Sequence, residues 1–483
     1  RGRANGASRA RRSAPAPPRA LEAVVFDGFD AEKAPTPPTA ATDSAAPVDS
    51  RPGTLDAQTF VCSPSCAEWR DWSFPYPGKS AAESLLDEVA RFGDVASKSP
   101  ESAAFFAYAV ARATFFATQA AGSLAYNAAT SGTQDSSPIG KGLSIDSMAR
   151  LYAEALVSFR QDLENVRAGL YRAPYDAQPV HSGGLHRQWN PLFIAGQAAR
   201  FVTEANGTLA RRSQRADTSV WLKSSPTMYP SYYQHTFHYQ SDGWFSADSA
   251  EVYETSTETL FVGRQDSMQR HTLVPVSRYL QRRGPSTAGV RVLELACGTG
   301  RFATFARDTF PEADFTLLDL SPFYLEKARE NNSYWEQLRA EDITKELNAD
   351  GGSAQRSVGS CVLLHANAED VPEPDASFDV VTSVYLFHEL PLEARRNVFA
   401  EAARVLKPGG LFVVTDSIQK GDRPSVDATM GRFGDFAEPY YESYIMTDLG
   451  ELGREVGLVP WQKEQCSSSK TVSFLKPDAP AEA

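Results

Sequence analysis

Cysteine is scarce in this chain. Five occur among 483 residues, at positions 62, 66, 297, 361 and 466. Their odd number and scatter argue against a disulfide framework and favour a reducing compartment. Cys62 and Cys66 have the spacing of half a metal site, but no second pair follows, so no metal is expected. Positive charge is short as well: 48 Lys and Arg stand against 60 Asp and Glu, a net charge of −12. Nucleic-acid binding needs clustered cations, so no nucleic-acid partner is expected. Long apolar runs are also missing, and none reaches the roughly 18 clean residues of a spanning helix. The nearest stretch, "AAFFAYAVARATFFATQAAGSLAYNAA" at 103–129, is interrupted by Arg112, Thr114 and Gln119. Its Phe and Tyr spacing suits a buried core helix better than contact with a membrane surface.

What is present is enough for a full core: 42% of the residues are hydrophobic, and the length allows two to four domains. Residues 1–20 carry six arginines, three prolines and no acid. That is the composition of an organelle transit segment, with plastid the first address and mitochondrion the second. Residues 31–55 are rich in Ala, Pro and Ser and read as a linker, so disorder is expected over 1–58. Residues 59–225 read as a helical N-terminal domain. "SAAESLLDEVARFGDVA" and "SIDSMARLYAEALVSFRQDLENVRAGLY" repeat apolar residues at three and four spacing, with Ser144 or Asp146 as a cap for the second. "HSGGLHRQWN" at 181–190 breaks the pattern; His181 and His186 have no partners at ligand spacing and are read as structural. Residues 226–285 form an aromatic-rich lead-in or lid segment, in which Ser246 is placed to cap a helix starting near Asp248.

From 286 to 483 short apolar runs alternate with helices. Strands are expected at 290–296, 314–320, 358–367, 378–387 and 411–418, with helices near 301–309, 321–339 and 392–405. This alternation specifies an α/β fold with a doubly wound parallel sheet. A helix at 446–457 and a hairpin formed by "LVPWQKEQC" and "TVSFLKP" complete it at the sheet edge.

The stretch "VLELACGTGRFATFA", 292–306, sets a glycine turn between the first strand and its helix. In such sheets ligands bind beyond the carboxyl ends of the strands, and glycines let the backbone approach them. Asp319 follows Gly300 by nineteen residues, the spacing at which an acid grips the two hydroxyls of a ribose. Gly298-x-Gly300-x-x-Ala303 also matches the dinucleotide fingerprint formally. Glu294, two residues before the turn, suits a cationic ligand better than a pyrophosphate.

Beyond the turn, the chain resembles the class I S-adenosylmethionine-dependent methyltransferases, in their UbiE-like small-molecule group. "LELACGTG", "LLDLSPFYLEKARE", "HANAEDVPEPDASFDVVTSVYLFHELP" and "EAARVLKPGGLFVVTDS" follow one another in the family's motif order over about 185 residues. The "FHELP" run and the segment "YYQHTFHYQSDGWFSADSAEVYE" are similar to a plastid and bacterial branch. The resemblance implies a Rossmann-like, seven-stranded sheet and S-adenosylmethionine as cofactor. It implies that Glu294 and Gly298 neighbour the methionine part, that Gly300 makes room for the cofactor, that Asp319 holds the ribose, and that Ala296, Cys297 and Leu320 belong to the same cofactor site. Asn367, Ala368 and Glu369 edge the adenine, and Ser383 and Tyr385 face the sulfonium. His388 and Glu389 lie where the methyl acceptor sits, with His388 as the base for a phenol or enol; helix entry and packing is the other reading of this pair. Tyr233, His235, His238, Tyr239 and Asp242 line the acceptor pocket or belong to the core. A small-molecule methyltransferase is the expected function, and a non-catalytic binder of the same cofactor, with its helical domain as a docking surface, is the alternative.

Overall fold

The computed structural model describes residues 59–131, 145–213, 229–234, 243–349, 355–430 and 438–478. The transit-like and linker segment 1–58, the proposed cap Ser144, and His235, His238, Tyr239 and Asp242 lie outside the described residues. Among those described, no helix is long and apolar enough to cross a membrane.

The N-terminal part is built from α1 (Pro64–Asp71), α2 (Ala81–Ala96), α3 (Pro100–Ser131), α4 (Ile145–Arg167) and α5 (Pro191–Ser213). α2 starts at a capping box: Ser80 Oγ accepts from Glu83 N at 3.3 Å while Ser80 N donates to the Glu83 carboxylate at 2.8 Å. Phe92, Phe105, Ala109, Leu156 and Phe159 bury the facing stripes of α2, α3 and α4 in one cluster. Between α4 and α5 lies a small hairpin, β2 (Val180–His181) and β3 (Gly184–Leu185). α6 (Ala247–Leu260) begins where Ser246 Oγ accepts from Ser249 N at 3.1 Å, as its spacing predicts. α7 (Gln265–Arg270) and α8 (Leu273–Gln281) lead into the sheet.

The sheet strands are β4 (Arg291–Leu295), β5 (Asp314–Asp319), β6 (Cys361–His365), β7 (Phe378–Val384), β8 (Leu406–Ser417), β9 (Val459–Cys466) and β10 (Ser469–Leu475). α9 (Arg301–Thr309), α10 (Pro322–Leu347) and α11 (Leu392–Val405) connect the parallel strands. The expected seven-stranded sheet gains an eighth strand, β1 (Val61–Cys62), giving the order β1-β9-β10-β8-β7-β4-β5-β6. β1 runs parallel to β9, with Val61 opposite Gln462, and closes an edge whose backbone groups would otherwise stand unpaired. It comes from the region expected to be all helical.

β4, β5, β6, β7 and β8 are mutually parallel, and β10 pairs antiparallel with both β8 and β9. The chain winds outward from β4 through β5 to β6, then returns to β7 on the other side, so the order reverses between β4 and β7. One face packs Leu293, Leu295, Phe399 and Phe412; the other packs Val292, Phe305, Leu317 and Trp335.

Buried ion pairs fasten the helical part to the sheet part. Asp162 of α4 meets Arg270 of α7, and Glu154 meets both Arg264 and Arg423.

Candidate cofactor site

At the reversal point the carboxyl ends of β4, β5 and β7 border a cavity of about 1020 Å³, its open mouth included. The turn after β4 forms its floor. Ala296, Gly298 and Gly300 take φ of 55°, 54° and 67°, a left-handed region that costs little only for glycine. Gly298 N donates to Asp319 Oδ2 at 2.8 Å and Ser321 N donates to Asp319 Oδ1 at 2.8 Å. Asp319 therefore ties the turn of β4 to the start of α10, and each of its oxygens keeps a second acceptor position. Ser321 caps α10 by accepting from Tyr324 N at 3.2 Å, and its hydroxyl donates to the Trp244 carbonyl at 2.6 Å. That bond fastens the aromatic segment before α6 against the cavity.

Eleven of the expected residues line this space: Tyr233, Glu294, Ala296, Cys297, Gly298, Asp319, Leu320, Asn367, Ala368, Tyr385 and Glu389. Four do not. Gly300 faces α10, where a Cβ would lie 2.9 Å from Ala328 Cβ and from Asn332 Nδ2, so it makes room for a helix rather than a ligand. Ser383 is wholly buried within β7, opposite Leu295 and Val414. Glu369 turns to Tyr232 Oη and to Asn397 Nδ2, the latter at 2.8 Å.

The fourth is His388, which was expected as a base and does not line the cavity. Its Nδ1 lies 2.7 Å from Asp416 Oδ1 and its Nε2 lies 3.6 Å from Glu389 Oε1. Burial alone would favour the neutral ring, but Asp416, with Glu389 beyond it, outweighs burial and pushes the imidazole up to about 9. A charged imidazolium has no lone pair to take a proton. His388 instead stands behind Glu389, which does reach the cavity.

The two acids of the floor are electrostatically exposed to each other. Glu294 is 2% exposed, its Oε2 has no hydrogen-bond partner, and burial with the nearby Asp319 holds its carboxyl far above the usual range. Burial raises Asp319 to about 6 against the pull of its backbone donors. Such a pair calls for a ligand that brings positive charge and hydrogen-bond donors.

Several lining residues were not anticipated: Tyr232, Trp244, Tyr253, Gln269, Arg301 and Tyr324. Most come from the segment before the sheet, and its aromatic density was the available signal. Arg301 carried another. It is the first residue of α9, where the helix dipole disfavours a cation, so it must find carboxylates elsewhere. Asp176 supplies one at 2.6 Å and Asp266 another at 2.7 Å.

Residues 293–414 match the family described as "Methyltransferase domain". A fatty-acid O-methyltransferase of Mycolicibacterium smegmatis is 34% identical over 140 residues, which is 28% of this chain and 40% of that protein. A demethylmenaquinone methyltransferase of Listeria monocytogenes is 31% identical over 188 residues, covering 35% of this chain and 70% of the relative. The chain belongs to the class I S-adenosylmethionine-dependent methyltransferases. It spans well under two thirds of the fatty-acid enzyme's length, so membership of this methyltransferase family rests on the sheet part. The CurJ carbon methyltransferase structure aligns with 82% of this chain and 97% of its own, at 14% identity and a TM-score of 0.36.

Proposed function

We propose that this protein transfers a methyl group from S-adenosylmethionine to an apolar small molecule. The observation that carries the proposal is the unpartnered carboxyl oxygen of Glu294, buried beside Asp319 under a glycine turn at the reversal point of the sheet. These residues fit the cofactor: Glu294 would neighbour its cationic amino-acid end, Asp319 has acceptor positions left for the ribose hydroxyls, and Asn367 and Ala368 would border the adenine. Bound there, the cofactor supplies an electrophilic methyl group.

The chain's own residues do the remaining work. Tyr232, Tyr233, Trp244, Tyr253 and Tyr324 wall the cavity and exclude water, and proximity then lowers the barrier. Glu389 is the carboxylate that faces an acceptor and takes its proton, with the His388 imidazolium positioning it. Aromatic walls support an apolar acceptor, and the names of the fatty-acid and menaquinone relatives point the same way. The arginine-rich, acid-free residues 1–20 support a plastid address within this proposal, and imaging of a fluorescent fusion of the full chain tests that part.

The test of the activity is labelled-methyl turnover across quinol, phenol, fatty-acid and amine acceptors, with adenosylhomocysteine binding followed by calorimetry. Turnover on an apolar acceptor is the expected result. Tight adenosylhomocysteine binding with no turnover on any acceptor would leave a non-catalytic binder, and heat stabilisation by NAD alone would remove the cofactor assignment.

A further inference from the structure

A second cavity, about 1300 Å³ with its open mouth included, is bounded by α3, the start of α5 and α6. α6 separates it from the cofactor cavity. Tyr253 faces the first cavity, while Glu251, Glu254, Thr255 and Glu258 face the second. At about 100° per residue these four share one stripe of the helix and Tyr253 lies opposite. The apolar walls are Phe115, Phe116, Phe193, Ile194 and Trp189.

Two of the three cations of the lining are committed to carboxylates, and the third, Arg187, is held by rings and an amide. Arg112 is committed to Glu258 at 2.6 Å and to Asp266 at 2.8 Å. Lys327 is committed to Glu251 and Glu330. Arg187 lies between the rings of Tyr334 and Phe193, 4.6 and 5.4 Å from their centroids, and donates to Asn331 Oδ1 at 2.7 Å.

Acceptors remain. The Gln119 and Gln197 amide oxygens have no hydrogen-bond partner. The Gln197 amide orientation is fixed by chemistry: its Nε2 donates to Glu251 at 2.8 Å, and a carboxylate only accepts. Gln119 Nε2 donates to Thr259 Oγ1 at 2.7 Å. Glu254 Oε1 accepts from Thr299 Oγ1 at 2.9 Å and from Asn331 Nδ2 at 2.7 Å, and among the described residues Glu254 makes no ion pair.

We propose that this cavity is a second ligand site, for a primary amine carried on a compact aromatic or branched apolar body, with Glu254 as its counter-charge. The apolar walls take the body, and the ammonium supplies Glu254 with the positive charge that no described residue pairs with it. A carboxylate or phosphate ligand would bring negative charge to Glu254. An alcohol would fill the walls but leave the charge on Glu254 unanswered. The site lies across α6 from the cofactor cavity, joined to its glycine turn by the Thr299–Glu254 hydrogen bond, and does not rest on the proposed methyl transfer.

The full chain is titrated by calorimetry with 4-phenylbutylamine, 4-phenylbutan-1-ol and 4-phenylbutanoate, each with and without saturating adenosylhomocysteine. The amine is expected to bind at least tenfold more tightly than the alcohol, the carboxylate not measurably, and adenosylhomocysteine not to displace the amine. Glu254→Gln should weaken the amine at least tenfold and leave the alcohol unchanged. Ala111→Trp, which fills the cavity from α3, should abolish amine binding while adenosylhomocysteine still binds, which reports an intact fold. Failure of the amine to bind, equal binding of all three compounds, displacement by adenosylhomocysteine, or amine binding untouched by Glu254→Gln would each overturn the proposal.

Discussion

Asp319 holds three parts of the site at once: the turn through Gly298, the start of α10 through Ser321, and the space where a ribose would sit. Asp319→Ala removes the acceptor for those hydroxyls, and adenosylhomocysteine affinity should fall at least tenfold, about 1.4 kcal/mol; calorimetry showing unchanged affinity would remove its assigned role. Glu294 behaves differently, because one oxygen of its buried carboxyl has no hydrogen-bond partner. With a folded pKa raised above the unfolded value, its ionisation penalises the fold increasingly as pH rises above about 4.3. Glu294→Gln should therefore make the ligand-free protein more stable in urea at pH 8, while weakening its hold on S-adenosylmethionine. His388 gives a third measurable effect. Its pKa is raised from 6.5 to about 9, so its stabilising contribution is complete below pH 6.5 and is lost as pH rises through 9. The difference corresponds to about 3 kcal/mol. In His388→Gln, urea stability should lose that pH dependence between 6.5 and 9.

Elements meet closely where the turn after β4 enters α9. Gly300 carries φ of 67° and stands against Ala328 on α10, so a methyl group there is opposed by both backbone conformation and packing. Gly300→Ala should cost about 1–3 kcal/mol in urea unfolding, and a neutral result would mean that α9 and α10 have room to separate. The five parallel strands β4, β5, β6, β7 and β8 were legible as short apolar runs, most of them near-continuous because they are buried on both faces. α9, α11 and the final hairpin were legible from period and turn residues. β1 was not, since two residues make no pattern and only the unpaired edge of β9 calls them into a strand. α10 runs on to Leu347, past the expected 339; Ile343 and Leu347 continue its buried stripe, and the boundary had no proline or glycine to mark it.

On the scale of the whole molecule, the legible part of the site is the part carried by strand ends, where sequence neighbours are also spatial neighbours. The rest depends on segments far apart in the chain: Tyr232 and Trp244 on the segment before α6, Asp416 behind His388, and Asp176 and Asp266 around Arg301. Arg301 shows why this matters. It sits beside the glycine turn with 6% of its surface exposed, and both of its carboxylates lie outside the matched methyltransferase region. Removing a partner from a buried charge costs about 3–5 kcal/mol, because the remaining charge stays desolvated. A chain cut to residues 286–483 loses both carboxylates together with Tyr232, Tyr233, Trp244 and Tyr253 of the cavity's aromatic wall. It should bind adenosylhomocysteine at least a hundredfold more weakly than the full chain, or fail to fold cooperatively in urea. If calorimetry found the shortened chain cooperative and equal in affinity, the helical part would be dispensable for the site, and Arg301 would have to find water or another carboxylate in its place.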